Sequence, residues 1–340
     1  MILIRGKEGL IHRTGKDIQN VFQNLFVMRG RWQREGDELL IHYSKDAPRA
    51  TNKTKQIICM LDGRRPHGGL ADRLRGIVST YYIAKQLGYD FRINFVHPFP
   101  LIDYLVPNKV DWRISQEELC YNSEDAEPMF CGSQATHVET WFQKTWIRKR
   151  CLKAHKQLHV YTNAHVLTNK KYSLIFSELF KPSERLENAL TYYRKQLESE
   201  NYITISLRFI GLLGDFYEKD ERYITPEEQE VLMQRCVEKI QQIHQKYAPT
   251  QKVLLTSDST RFLHYASERL AFIYYIPGEV VHIDYQDATS DDTNIKLFVD
   301  MFMISRSERA FLLQTGKMYN SGFPRRAAQM GGVPFKHIRF

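Results

Sequence analysis

The sequence predicts an α/β protein built on parallel sheet covered by helices on both faces. Three observations carry that expectation. Strands and helices alternate almost without interruption from about residue 202 to the C-terminal region. A strand, QIICM, runs through a glycine-rich loop into a helix and then into a second strand, FRINFV. Thr225, Pro226 and Glu228 form a T-P-x-E capping box that opens a long helix.

Residues 1–55 read as a short strand, a helix around DIQNVFQNLFVMRGRWQ, a strand DELLIHY and a polar connector, SKDAPRATNKTKQ. After QIICM, residues Leu70, Leu74, Ile77, Val78, Tyr81 and Ala84 repeat at helical spacing until Gly88 supplies a stop. Residues 101–200 give mixed signals, with helical pattern near 170–199 and an irregular middle holding Trp112, Trp141 and Trp146. From there the order is YITISLRF (strand), a helix to about Tyr247, KVLLTS (strand) and STRFLHYASERL (helix). Short strands AFIYY and EVVHI, the helix TNIKLFVDMFMISRS, the strand RAFLLQT and the helix FPRRAAQM complete it.

At 340 residues and 43% hydrophobic content the chain is long enough for two cores. The expected division is an N-terminal extension (1–55), an acceptor-side α/β domain (56–200) and a nucleotide-binding Rossmann-like domain (201–340). Forty-eight Lys and Arg against 39 Asp and Glu give +9, which suits phosphate-rich ligands or anionic surfaces. The basic residues are spread out apart from RKRCLKAHK at 148–156, so no nucleic-acid partner is expected; that segment and its aromatic neighbours face a membrane surface, an acceptor glycan or plain solvent. Five cysteines without CxxC spacing argue against a disulfide framework and a zinc site. With no cleavage pattern and no apolar run of spanning length, the expected location is the cytoplasm, extending to the inner face of the membrane as a peripheral protein.

In parallel sheets ligands bind beyond the carboxyl ends of the strands, which singles out four loops. In RRPHGGLADRLRG, Gly68 and Gly69 let backbone N–H groups approach a phosphate ahead of a helix N-terminus; a tight turn with solvated arginines is the alternative. Arg208 follows the apolar ISL run, where its fork suits a diphosphate or an ion pair with a buried carboxylate. Asp258 is placed to accept from a base edge or ribose hydroxyls, unless Ser257 or Ser259 simply caps the next helix. In TGKMYNSGFPRR, Ser321 and Gly322 precede a helix start at Phe323 that offers a second anion pocket, with solvated Arg325 and Arg326 as the bland reading. Asp215 or Glu218, in the long loop after Arg208, is the candidate general base. No metal site is expected.

Taken together these blocks resemble the fucosyltransferase-like glycosyltransferases of GT-B architecture. HGGLADRLRGIVSTYYIAKQLGYDFRI is similar to that superfamily's glycine loop and following helix, and ISLRF stands at its H-x-R-R block. TSDS matches its aspartate-bearing strand end, and LFVDMFMISRSERAFLLQTGKMYNSGFPRRAAQMGG follows its closing helix, strand and serine-containing loop. The resemblance spans most of 56–335 and implies two Rossmann-like domains with parallel sheets facing a central cleft. It further implies inverting, metal-independent transfer of a sugar, fucose first, from GDP to a hydroxyl of a glycan or lipid-linked acceptor, with no cofactor besides the GDP-sugar co-substrate. Arg208 would meet the diphosphate, Asp258 the nucleoside and Ser321, Gly322 and Phe323 the phosphates, with Ser257, Thr315 and Tyr319 also binding the donor. His67, Gly68, Gly69 and Arg73 would close the donor site. Two positions depart from the block: Ser206 replaces its histidine and Phe209 its second arginine, leaving Arg73 or Arg75 to compensate. The rival readings are a transferase using another nucleotide sugar and a non-catalytic basic module for nucleic acid or anionic glycans.

Overall fold

The computed structural model describes residues 4–6, 9–11, 15–132, 137–198, 201–216, 223–280, 283 and 289–340. In chain order the elements begin with β1 (Ile4–Gly6), β2 (Gly9–Ile11), α1 (Gly15–Asp37), β3 (Gln56–Leu61), α2 (Leu70–Leu87), β4 (Asp90–Phe95) and β5 (Leu105–Pro107). The middle holds β6 (Ala126–Cys131), α3 (His137–Lys153), β7 (Gln157–Thr162), α4 (Asn169–Leu179), β8 (Phe180–Pro182) and α5 (Glu184–Gln196). The last part holds β9 (Tyr202–Leu207), α6 (Pro226–Tyr247), β10 (Lys252–Ser257), α7 (Thr260–Arg269), β11 (Ile273–Tyr274), α8 (Asp291–Ser305), β12 (Arg309–Gln314), α9 (Phe323–Gly331) and β13 (Phe335–Arg339).

Two compact units result. One comprises residues 1–60, 79–93 and 114–166; the other 61–78, 94–113 and 167–340. The units interleave along the chain, whereas the sequence reading cuts it into consecutive stretches after residues 55 and 200. The first is built on a four-stranded sheet in the order β4-β3-β7-β6, with β7 parallel to both β3 and β6. Every residue of β7 is buried, as expected of a strand covered on both faces. The N-terminus of β6 is pinned by Arg49, whose Nε and Nη2 each donate to Asp125 at 2.7 Å. The second unit holds a five-stranded, all-parallel sheet in the order β11-β10-β9-β12-β13. Its core gathers Ile203, Ile205 and Leu207 of β9 with Val253 and Leu255 of β10, Phe311 and Leu313 of β12 and the inner face of α6.

Local chemistry explains where the helices begin and end. The Thr225 side chain accepts from the Glu228 backbone while Glu228 reaches back to the Thr225 N–H, both arms of the capping box. α2 stops at Gly88, in the left-handed region at φ +66°, where the Tyr89 N–H closes back to the Ala84 carbonyl at 3.1 Å.

Three expectations need correction. DELLIHY is no strand: Glu38–His42 is a 3-10 turn continuing from α1, with only Leu39 buried. A strand needs a neighbour to pair with, and the alternation here is too short to recruit one. EVVHI falls partly outside the described residues, and its Glu279 and Val280 lie in no strand. FKHIR, unassigned from sequence, is the edge strand β13; its mixed polarity is that of a strand only partly covered.

Candidate functional site

Within the second unit, the chain leaves β9 for β10 and β11 on one side, then returns to place β12 and β13 on the other. The order therefore reverses between β9 and β12, and a crevice is expected past their carboxyl ends. A cavity of about 210 Å³ lies there. Its lining draws on the loops after β9 (Arg208), β10 (Ser257, Asp258) and β12 (Tyr319, Ser321, Gly322), on Phe323 and Pro324 of α9, on Gly69 and the first turn of α2, and on Asp300 of α8. Leu297, Val280 and Ile283 supply apolar wall.

Arg208 sits at the junction. Its Nε lies 3.4 Å from Asp258 Oδ2, and its guanidinium carbon stands 4.6 Å from the centre of the Phe216 ring. The ion-pair reading of this residue holds, since it pairs with a buried carboxylate, and its side chain also lines the cavity. Its carbonyl accepts from the Tyr319 N–H at 2.9 Å, which ties the β12 loop to the end of β9.

Asp258 is 4% exposed. Its Oδ1 accepts from Phe209 N at 2.8 Å and its Oδ2 from Ile210 N at 2.7 Å. Burial pushes its carboxyl up to about 6, against the opposing pull of Arg208 and the two amides. Ser257 accepts from Ser259 N, and Ser259 is the cap of α7, accepting from Phe262 N at 3.0 Å. The two departures from the H-x-R-R block are also accounted for. Ser206 Oγ pairs with Thr256 Oγ1 at 2.7 Å, while Phe209 is fully buried against Phe262, their ring centres 4.9 Å apart. Arginine at position 209 would have to enter that core.

The glycine loop is held from behind. Gly68 has φ +80°, and a Cβ there would fall 2.6 Å from Asp72 Oδ2, so no other residue fits without displacing Asp72. Arg73 is 2% exposed; its Nε donates to Gly68 O at 2.9 Å and its Nη1 to His97 O at 2.7 Å. Neither Arg73 nor the buried His67 is among the lining residues; Arg73 acts on the loop's shape through its bond to Gly68 O. Arg75 pairs with Asp72 at 3.3 Å and crowds Arg326, whose guanidinium burial and that like charge bring down to about 10.

At the other rim, Ser321 Oγ accepts from Phe323 N at 3.3 Å, and Gly322, the residue before α9, contributes no side-chain cap. Thr315 lies behind the loop, donating its hydroxyl to the Phe340 carbonyl. Asp215 does not line the cavity: its Oδ2 accepts from Ser259 Oγ at 2.9 Å and Arg261 N at 2.8 Å, across the start of α7. Glu218 lies outside the described residues.

The residues that sequence reasoning missed are Asp72, Lys296 and Asp300. Asp300 Oδ2 accepts from Lys296 Nζ at 2.8 Å, its Oδ1 is buried with no hydrogen-bond partner among the described residues, and burial raises its carboxyl. One signal was available: a Lys–Asp pair four apart inside NIKLFVDM, a helix buried nearly all round. No cluster of His, Cys, Asp or Glu suited to a metal occurs among the described residues.

No protein-family model matches the chain, and no curated protein does. Solved structures do. FUT1 of Arabidopsis thaliana, a point mutant in complex with GDP, is 12% identical, with a TM-score of 0.51 over 97% of this chain and 81% of that one. NodZ α-1,6-fucosyltransferase soaked with GDP-fucose is 14% identical, with a TM-score of 0.54 over 85% of this chain and 95% of that one. Selenomethionine NodZ from Bradyrhizobium gives 13%, 0.52, 85% and 95%. The chain therefore shares the fold of these fucosyltransferases.

Proposed function

We propose that the cavity of the second unit holds the GDP part of a GDP-activated sugar. The chain then transfers that sugar, fucose first, to a hydroxyl of a glycan or lipid-linked acceptor, with inversion and without a metal. One observation carries the reading: Arg208, Asp258, Ser321 and the glycine-loop helix, from four separate stretches of chain, line one crevice at the switch point of a parallel sheet. The fold neighbours that contain GDP or GDP-fucose support the choice of nucleotide.

In this reading the guanidinium of Arg208 and the N-termini of α2 and α9 face the diphosphate. As the bond from the anomeric carbon to the β-phosphate oxygen breaks, its electron pair moves onto the phosphate, and these fixed charges and dipoles stabilise it. That is the work a divalent cation would otherwise do. Asp258, with both oxygens on backbone amides, serves as the post that positions Arg208. The base-edge role passes to Asp300, whose Oδ1 is able to accept from the N–H groups of a guanine while Lys296 occupies its Oδ2. The acceptor hydroxyl attacks from the opposite face and gives up its proton. Asp72 is assigned that proton in place of Asp215, being the most exposed of the three carboxylates lining the cavity.

Calorimetry with GDP, UDP and CMP tests this reading. Binding selective for GDP, weakened in Arg208→Ala, is expected, together with slow hydrolysis of GDP-fucose. Equal affinity for all three nucleotides would reject the donor assignment. A steeply salt-dependent nucleic-acid complex that survives Arg208→Ala would favour the basic binding module.

A further inference from the structure

α3, in the first unit, has no part in the donor site. From Thr140 to its end it carries Lys144, Arg148, Lys149, Arg150 and Lys153 and no acidic residue. Its inner face is Gln143, Ile147 and Cys151, each fully buried at successive turns. About a third of a turn round the helix from that face, Trp141 is 64% exposed and Leu152 53% exposed. At about 100° per residue Trp141, Arg148 and Leu152 fall within about 40° of one line, roughly 16 Å long, with Lys144 and Lys149 on its flanks. Arg150 is engaged by Glu127 at 2.7 Å. Lys144, which lies over the Tyr82 ring, and Arg148, Lys149 and Lys153 make no ion pair among the described residues.

An isolated exposed tryptophan or lysine needs no explanation. A helix that aligns an indole, an arginine and a leucine on one line with lysines on its flanks is different, because its partner must answer charge and aliphatic surface together. A nucleic acid would meet the cations with phosphate and stack a base on Trp141, but would leave the aligned, exposed Leu152 without a role. A bilayer surface takes all of them: the indole at headgroup depth, leucine at the acyl boundary and cations against acidic headgroups. No helix among the described residues is long and apolar enough to cross a membrane, so such contact would be peripheral.

We infer that α3 docks this protein on bilayer surfaces bearing anionic lipid, with Trp141 and Leu152 entering the interface. The inference stands apart from the donor-site reading, since GDP binding can be measured on the same variants. The test is co-sedimentation of the full chain with phosphatidylcholine vesicles, with and without a third of phosphatidylserine, alongside tryptophan fluorescence. Binding to the anionic vesicles alone is expected, falling with salt and accompanied by a blue shift that Trp141→Ala removes. Replacing Arg148 and Lys149 together by alanine should weaken it roughly 30-fold, at about one order of magnitude per 1.4 kcal/mol and about 1 kcal/mol per cation. GDP affinity should stay unchanged in both variants. Absence of binding to the anionic vesicles, or an unaltered double variant, overturns the inference. So does a duplex DNA oligonucleotide that binds regardless of Trp141→Ala and displaces the vesicles, which would make α3 a general polyanion surface.

Discussion

Asp258 Oδ2 holds the backbone nitrogen of Ile210 at 2.7 Å, and Ile210 has φ +55°. A β-branched residue in the left-handed region costs of order 1–2 kcal/mol, and it persists only where surrounding contacts fix it. Here the same carboxylate takes both amides following Arg208 and the Arg208 Nε besides. The turn that aims Arg208 at the crevice is thus held by one buried side chain on the neighbouring strand end.

Asp258 gives a pH signature. Its folded value of about 6 exceeds the ordinary carboxyl value, so between the two the folded chain binds a proton that the unfolded chain has lost. Its contribution therefore worsens as pH rises, by about 3 kcal/mol in all once pH passes the folded value. Asn at this position escapes that penalty. Urea unfolding of the wild type and Asp258→Asn, compared at about pH 4 and pH 7, should show the difference moving against the wild type by that order. Parallel curves would show that Arg208 and the two amides fully offset the burial of the Asp258 charge.

Arg208 and Asp300 should divide the nucleotide between them. Loss of a charge-assisted contact is worth about 2–3 kcal/mol, so Arg208→Ala should weaken GDP and UDP alike by roughly 30- to 100-fold. Asp300→Asn keeps an acceptor for Lys296 but loses the charge facing the base. It should cost GDP roughly ten-fold and leave UDP nearly unchanged, narrowing the preference. Calorimetric titrations of both variants with both nucleotides decide this.

Much of this arrangement was legible in the sequence, for identifiable reasons. Four of the five strands of that sheet were found because buried runs such as ISL and VLL are separated by helices with unambiguous caps; the edge strand β13, only partly covered, carries no such run. Arg208, Ser321 and the glycine loop were found because they directly follow such strands. Asp258 was found too, but its partners were not, since nothing local says that its oxygens turn toward the amides of residues 209 and 210. Asp72 and Asp300 were missed because both lie inside helices, where an i,i+3 or i,i+4 ion pair resembles ordinary surface chemistry until burial is known. DELLIHY was misread for the converse reason: alternation over a few residues cannot report whether a neighbouring strand exists to pair with.

Two glycines test the packing that shapes the site. A Cβ at Gly331 would lie 1.7 Å from the Ser305 carbonyl oxygen, where α9 meets α8, so Gly331→Ala should cost about 3 kcal/mol of stability. Gly68→Ala meets only a side chain, Asp72, and keeps the core intact, but it adds a left-handed alanine of order 1 kcal/mol. Its expected phenotype is a roughly ten-fold loss in transfer with little change in the urea midpoint. A large stability loss in Gly68→Ala would mean that the loop belongs to the core rather than to the ligand.

Asp72 and Asp215 separate by the kind of failure each should produce. Asp72 lines the cavity with its side chain 37% exposed, whereas Asp215 accepts from Ser259 and the Arg261 amide at the start of α7. Removing a general base typically slows turnover 10²- to 10⁴-fold while substrate binding is retained. Asp72→Asn should therefore lower kcat by that order with GDP affinity within about three-fold of the wild type. Asp215→Asn should lose about 1 kcal/mol of stability, as a weakened helix cap does, and keep kcat within about three-fold. Measuring turnover and urea midpoints for the pair returns the base to Asp215 if the two phenotypes are exchanged, and a full-rate Asp72→Asn enzyme would leave the acceptor proton to groups outside this cavity.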